Sequence, residues 1–122
     1  KTVSDFFAND DEAQVVFTNE DYFEKIDLEL NNKIEWIIPN AQKNIMEPIH
    51  LTLEPGGSTY PDNPHGGEEF GYVQKGEITI YIGNKIYIAK EGESFYYTPN
   101  KKHHISSQSG ANILWVSSPP SF

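Results

Sequence analysis

Two histidines and a glutamate have the types and spacing that could do chemistry. In "NPHGGEEF", residues 63–70, Asn63, His65 and Glu69 stand close together, and His103 follows far downstream in "NKKHH". On an extended chain residues two apart share a face, so Asn63 and His65 point together, and Glu69 joins them if a turn at Gly66 and Gly67 keeps the register. His103 must arrive from a distant strand. Three readings are open at this level: a metal site, an acidic binding pocket, or a tight turn with solvated charges. Burying a carboxylate beside imidazoles is costly without a ligand or hydrogen-bond partners. The joint occurrence of His65, Glu69 and His103 therefore favours a shared pocket over a bare turn. His50 lies between Ile49 and Leu51 in an alternating segment, and His104 must face away from His103, so both are read as structural; Glu68 is expected to point outward.

Composition limits what such a pocket can serve. The chain has 122 residues, which fits one domain. Eighteen acidic against nine basic residues give a net charge of −9, and a surface of that sign repels a phosphate backbone. These residues should not touch nucleic acid directly. With no cysteine, a disulfide scaffold, a thiolate metal site and a cysteine nucleophile are all excluded. No apolar run approaches the roughly 20 residues of a membrane span, and the opening "KTVSDFF" has no signal-peptide core. The expectation is a soluble, cytoplasmic domain without membrane contact. A start on Lys1 rather than Met reads as a fragment of something longer.

The elements that must position the site are strands. Apolar residues recur at period two in Ile26, Leu28, Leu30; Ile45, Ile49, Leu51, Leu53; Ile78, Ile80, Ile82; Ile86, Ile88; and Ile113, Trp115. Turn signals separate them, at "EPGGS", "PDNPHGG", "KG", "IGNK" and "EGES". "ITIYIGNKIYIA" is the clearest hairpin, since Gly83 and Asn84 accept the positive φ that a two-residue turn requires. The best helical candidate, "NEDYFEKI" at 19–26, is short enough to be one turn or the approach to a strand. An all-β fold closed into a sandwich or barrel follows, because closure removes exposed edges. Aromatic residues gather beside the pocket, and Tyr97 or its neighbour Tyr96 could offer a hydroxyl to it.

Gly57, Asn63, His65, Glu69 and Gly76, followed by Gly92 and His103, resemble the two signature motifs of the cupin superfamily, whose first motif is G-x5-H-x-H-x3-E-x6-G. That resemblance implies a jelly-roll barrel, or double-stranded β-helix, with short helical content at most. It places His65, Glu69 and His103 as ligands of a divalent metal such as Zn, Fe, Ni or Mn. Asn63 stands where the first motif histidine is expected, and an amide oxygen is a poor ligand for these metals. The second motif departs too, with Thr98 where a proline is expected and Ser107 where an asparagine is common. Over the whole chain, "SDFFA", "LEPGGST", "HGGEEFGYVQKGEITI", "EGESFYYTPNKKHH" and "ILWVSSPPSF" resemble the C-terminal sensor domain of bacterial helix-turn-helix regulators of the XRE type. The resemblance implies that residues 1–12 end a linker and 13–122 form the cupin barrel. It further implies that a small-molecule effector binds in the barrel near Asn63, His65, Glu69, Tyr97 and His103, that the domain forms a homodimer, and that DNA is read by an N-terminal domain absent from this chain. An interior carboxylate such as Glu69 would pair with a cationic effector. No catalytic residue is assigned; the alternative is a small metal-dependent enzyme of dioxygenase or isomerase type, with two histidines and Glu69 as a facial triad.

Overall fold

The computed structural model describes residues 13–122, so the expected arm at 1–12 lies outside the described residues. Nine strands run in chain order: β1 (Phe23–Asp27), β2 (Asn32–Trp36), β3 (Glu47–Leu53), β4 (Gly57–Ser58), β5 (Glu68–Ile82), β6 (Lys85–Lys90), β7 (Ser94–Tyr97), β8 (His103–Ser107) and β9 (Ala111–Ser118). A single 3-10 turn, Ala41–Lys43, is the helical content among the described residues. The all-β jelly-roll expectation agrees with this. No described helix is long and apolar enough to cross a membrane.

All pairings are antiparallel, in the order β1-β2-β3-β9-β5-β8-β4, with β6 and β7 also on β5. The 15-residue β5 is the spine. Its first half pairs with β9 and β7, its second half with β6 and β8, and the register shifts between Val73 and Lys75. One strand thus belongs to both halves of the structure, which curls the sheet around its interior.

Alternation chooses what lines that interior. Ile49, Leu51 and Leu53 from β3, Val73, Ile78 and Ile80 from β5, Ile105 from β8, and Ile113 and Trp115 from β9 form one buried cluster. Glu69 and Gly71 lie on the same inward face of β5 as Val73. The glycine is there for space: a Cβ at Gly71 would overlap the ring of Phe95, which lies directly across the β5–β7 pair.

"NEDYFEKI" makes a turn at 19–21 and then enters β1, as expected, with Asp21 Oδ2 accepting from the Thr18 amide at 2.8 Å. Several strand readings change: Ile26 is exposed in β1, Leu28 and Leu30 fall in the turn that follows it, and Ile45 is exposed before β3. In β6, Ile86 and Ile88 were expected to be half-buried, yet both are exposed and Ala89 alone is buried. Its register with β5 sets Ile86 opposite Tyr81 and Ile88 opposite Thr79 on the outer face, while Ala89 lies opposite Ile78 on the core face.

Candidate metal and ligand site

Glu69 and Tyr97 face each other across the β5–β7 register, both pointing inward. The Tyr97 hydroxyl donates to Glu69 Oε1 at 2.6 Å. Burial and the adjacent carboxylate push the Tyr97 hydroxyl far above its ordinary range, so it stays protonated and donates to Glu69. His103 opens β8 and is fully buried. His65 comes from the loop before β5, held by its own amide donating to the Pro99 carbonyl at 2.8 Å. Gly67, with φ of 97°, completes the turn that carries the chain from His65 into β5; a Cβ there would collide with the Ser118 carbonyl.

The histidine tautomers follow from their backbone partners. His65 Nδ1–H donates to the Gly66 carbonyl at 3.0 Å, and His103 Nδ1–H donates to the Lys101 carbonyl at 2.8 Å. In the neutral rings each Nε2 then presents a lone pair. Both lone pairs face one carboxylate oxygen: His65 Nε2 lies 3.1 Å and His103 Nε2 3.5 Å from Glu69 Oε2. His65 Nε2, Glu69 Oε2 and His103 Nε2 are buried without a hydrogen-bond partner in the protein. Three converging acceptors repel one another unless a cation stands among them, and these atoms lie within 4.8 Å of one another. Ligand bonds of about 2.0–2.2 Å at octahedral or tetrahedral angles set neighbouring ligand atoms about 2.8–3.6 Å apart, and the 3.1 and 3.5 Å separations from Glu69 Oε2 match that. His65, Glu69 and His103 can therefore hold a metal ion. Burial pushes the His103 imidazole down, but Glu69 beside it and the Lys101 carbonyl outweigh this and hold it above its ordinary value.

Sequence reasoning missed Asp62. Its Oδ2 lies 3.8 Å from His103 Nε2, and burial, resisted by His103, raises its carboxyl above the ordinary range. The Asp62 amide donates to the His103 carbonyl at 2.8 Å and the His103 amide to the Asp62 carbonyl at 3.1 Å, forming an isolated bridge. Asn63, expected to converge with His65 and Glu69, is exposed, whereas Glu69 and His103 are buried. Strand alternation does not reach residues 63–67, because Pro61 and Pro64 interrupt it and the bridge to β8 puts residue 62 opposite His103. A carboxylate between two prolines, just before the motif histidine, was the available signal.

The remaining histidines lie elsewhere. His50 pairs with Glu35 at 3.1 Å on the outer face, and His104 stacks on Tyr81 with centroids 4.3 Å apart. Ser107 is structural: its hydroxyl donates to the Glu77 carbonyl at 2.6 Å and accepts from the Gly110 amide at 3.0 Å.

Asp62 also lines a cavity of about 320 Å³, whose other walls include Ile34, Trp36, Leu51, Trp115 and Phe122. That volume is at the small end of ligand sites, and an apolar chamber with a few polar groups at one side is their usual form.

Known proteins place this arrangement. The chain is similar to the HTH-type transcriptional regulator PuuR of Escherichia coli, 29% identical over 127 residues, covering 99% of this chain and 67% of the regulator. An HTH_3 family transcriptional regulator from Vibrio cholerae has a similar fold, with a TM-score of 0.66 at 21% identity over 75% of this chain. The chain spans about half of that structure's length, 53%. A predicted oxalate decarboxylase from Thermotoga maritima shares the fold at a TM-score of 0.72 and 17% identity, covering 85% of this chain and 98% of that one. The family model described as Cupin domain matches residues 49–118, from the centre of β3 to the end of β9, and this chain belongs to that family.

Proposed function

We propose that this domain senses a small-molecule effector inside its barrel and modulates DNA binding by a helix-turn-helix domain encoded beside it. The observation that carries the reading is the convergence of His65 Nε2, His103 Nε2 and Glu69 Oε2, all buried and unpartnered, next to a metabolite-sized chamber. Similarity to PuuR over 99% of the chain supports a regulatory role, and the net charge of −9 suits a half that leaves phosphate to another domain. His65, Glu69 and His103 hold a divalent metal, with Asp62 beside it and Tyr97 fixing the carboxylate. When bound, such an ion supplies a fixed positive charge and open positions for an oxygen or nitrogen of the effector. The Tyr97 hydroxyl and the two backbone carbonyls orient the ligating atoms, and the apolar walls exclude water. An effector that binds one conformation of the regulator more tightly shifts its population by no more than that differential affinity. The protein acts in the cytoplasm as a homodimer, paired through the outer face that carries Phe70, Tyr72 and Tyr96; Phe70 and Tyr96 are direct cross-strand neighbours there.

A metal-dependent enzyme is the second reading, favoured by three ligands with open positions and by the fold shared with the Thermotoga protein. A thermal-shift screen of metabolite-sized acids, amines and amino acids, on the wild type and on His65→Ala/His103→Ala, separates the two. The sensor reading expects a compound that stabilises only the wild type and is recovered unchanged. Consumption of that compound would overturn it in favour of the enzyme.

A further inference from the structure

The C-terminal segment forms part of one wall of the chamber, and one buried carboxylate holds it there. Glu47, at the start of β3, is 1% exposed. Its Oε1 accepts from the amides of Ser121 and Phe122 at 2.9 and 2.8 Å, and its Oε2 accepts from Trp36 Nε1 at 3.0 Å. Three N–H donors satisfy a carboxylate that burial would otherwise penalise heavily. Residues 119–122 continue past the end of β9 outside the ladder. Beyond Glu47 their ties are the Ser117–Ser121 hydroxyl pair at 2.6 Å, the Ser117 hydroxyl donating to the Pro119 carbonyl at 2.9 Å, and the Phe122 ring against Trp115 at 4.9 Å. Ser121 and Phe122 line the same cavity as Trp36, Trp115 and Asp62.

On the sensor reading above, we propose that residues 119–122 are the gate of the effector chamber, with Phe122 setting its size and Glu47 as the positioning residue that latches it. Phe122 packs against the core cluster, but the segment's hydrogen bonds run to the side chains of Glu47 and Ser117 rather than along a ladder, whereas most of the chamber's other walls belong to β1, β2, β3 and β9. The gate therefore opens without the barrel unfolding. Trp115 and Trp36 give the chamber an aromatic wall, and Asp62 lies at its polar side. The preferred effector has a metal-ligating head near Asp62 and an otherwise apolar frame.

Amide hydrogen exchange on the ligand-free wild type tests the gate directly. The Ser121 and Phe122 amides should exchange at least about tenfold faster than those of Ile113 and Trp115 in β9, because local opening precedes global unfolding. Equal protection of the four would overturn the gate. In Glu47→Gln the side chain brings donors of its own to a place already holding three, so exchange at 121 and 122 should accelerate further while β9 is unchanged. The two tryptophans of the chain both line the chamber, and acrylamide quenching of their emission should rise in the same variant. A folded Glu47→Gln with wild-type exchange and quenching would remove the latch. If the variant does not fold, the wild-type comparison decides alone. Neither experiment uses an effector, so failure of the sensor reading leaves their outcome untouched.

Discussion

His65 and His103 commit their Nδ1 protons to backbone carbonyls, and this fixes what the site can be. With both Nε2 atoms facing Glu69 Oε2, the arrangement is completed by a metal or, in its absence, by a proton. Its pH dependence separates these two states. In the metal-free domain the His103 imidazole titrates above its ordinary value of 6.5. Its contribution to stability is then full below about pH 6.5 and is lost as pH rises through the higher folded value. Relative to His103→Gln, the melting temperature of the metal-free wild type should fall as pH rises above about 6.5. Stabilisation by added metal should grow over the same interval, because protons compete for imidazole; parallel trends would contradict the shared site. Tyr97→Phe removes the bond to Glu69 Oε1. It should cost about 1.5–3 kcal/mol of stability in urea melts, the value of a hydrogen bond to a charged group, and roughly 10–100-fold in metal affinity by titration. His65, Glu69 and His103 were legible because motif spacing survives in the linear sequence. Asp62 was not, since its place depends on a loop lying antiparallel to the first residue of β8.

Strand identity was largely readable from alternation: β3, the second half of β5 and β9 each show apolar residues two apart that end up buried. The β5–β6 hairpin was readable as well, from its two-residue turn at Gly83 and Asn84, but the long-range partners were not. β5 serves both halves of the sheet through a register shift at Val73 and Lys75, and pairing between distant segments leaves no local pattern. β6 misled because alternation shows that one face is apolar but not which face meets the core: its register turns Ile86 and Ile88 outward beside Tyr81 and Thr79. Gly71 shows how an element sets the site. Phe95 fills the space a Cβ would need and packs against Tyr97 and Trp115, with both centroid distances 6.1 Å. Gly71→Ala must displace that ring, which should destabilise the domain by roughly 1–3 kcal/mol in chemical denaturation. The same change should weaken metal binding by moving Tyr97. Full stability would mean that Phe95 is free to turn away.

For the whole molecule, Phe70, Tyr72 and Tyr96 form an exposed aromatic patch on a chain of net charge −9. A homodimer through that face predicts a two-chain mass in sedimentation, reduced to one chain in Phe70→Glu/Tyr96→Glu with the barrel still folded. Unchanged mass in the variant would move the interface elsewhere. The net charge of −9 was legible at once, while what the chamber accepts depends on its shape, which no linear pattern encodes. The most direct measurement is elemental analysis by plasma mass spectrometry of the purified domain, made without a histidine tag, beside His65→Ala/His103→Ala. Near-stoichiometric divalent metal in the wild type and its loss in the double variant is the predicted result. A wild type free of metal even after incubation with Zn, Fe, Ni and Mn salts, or equal metal in both proteins, would contradict a metal held by His65, Glu69 and His103.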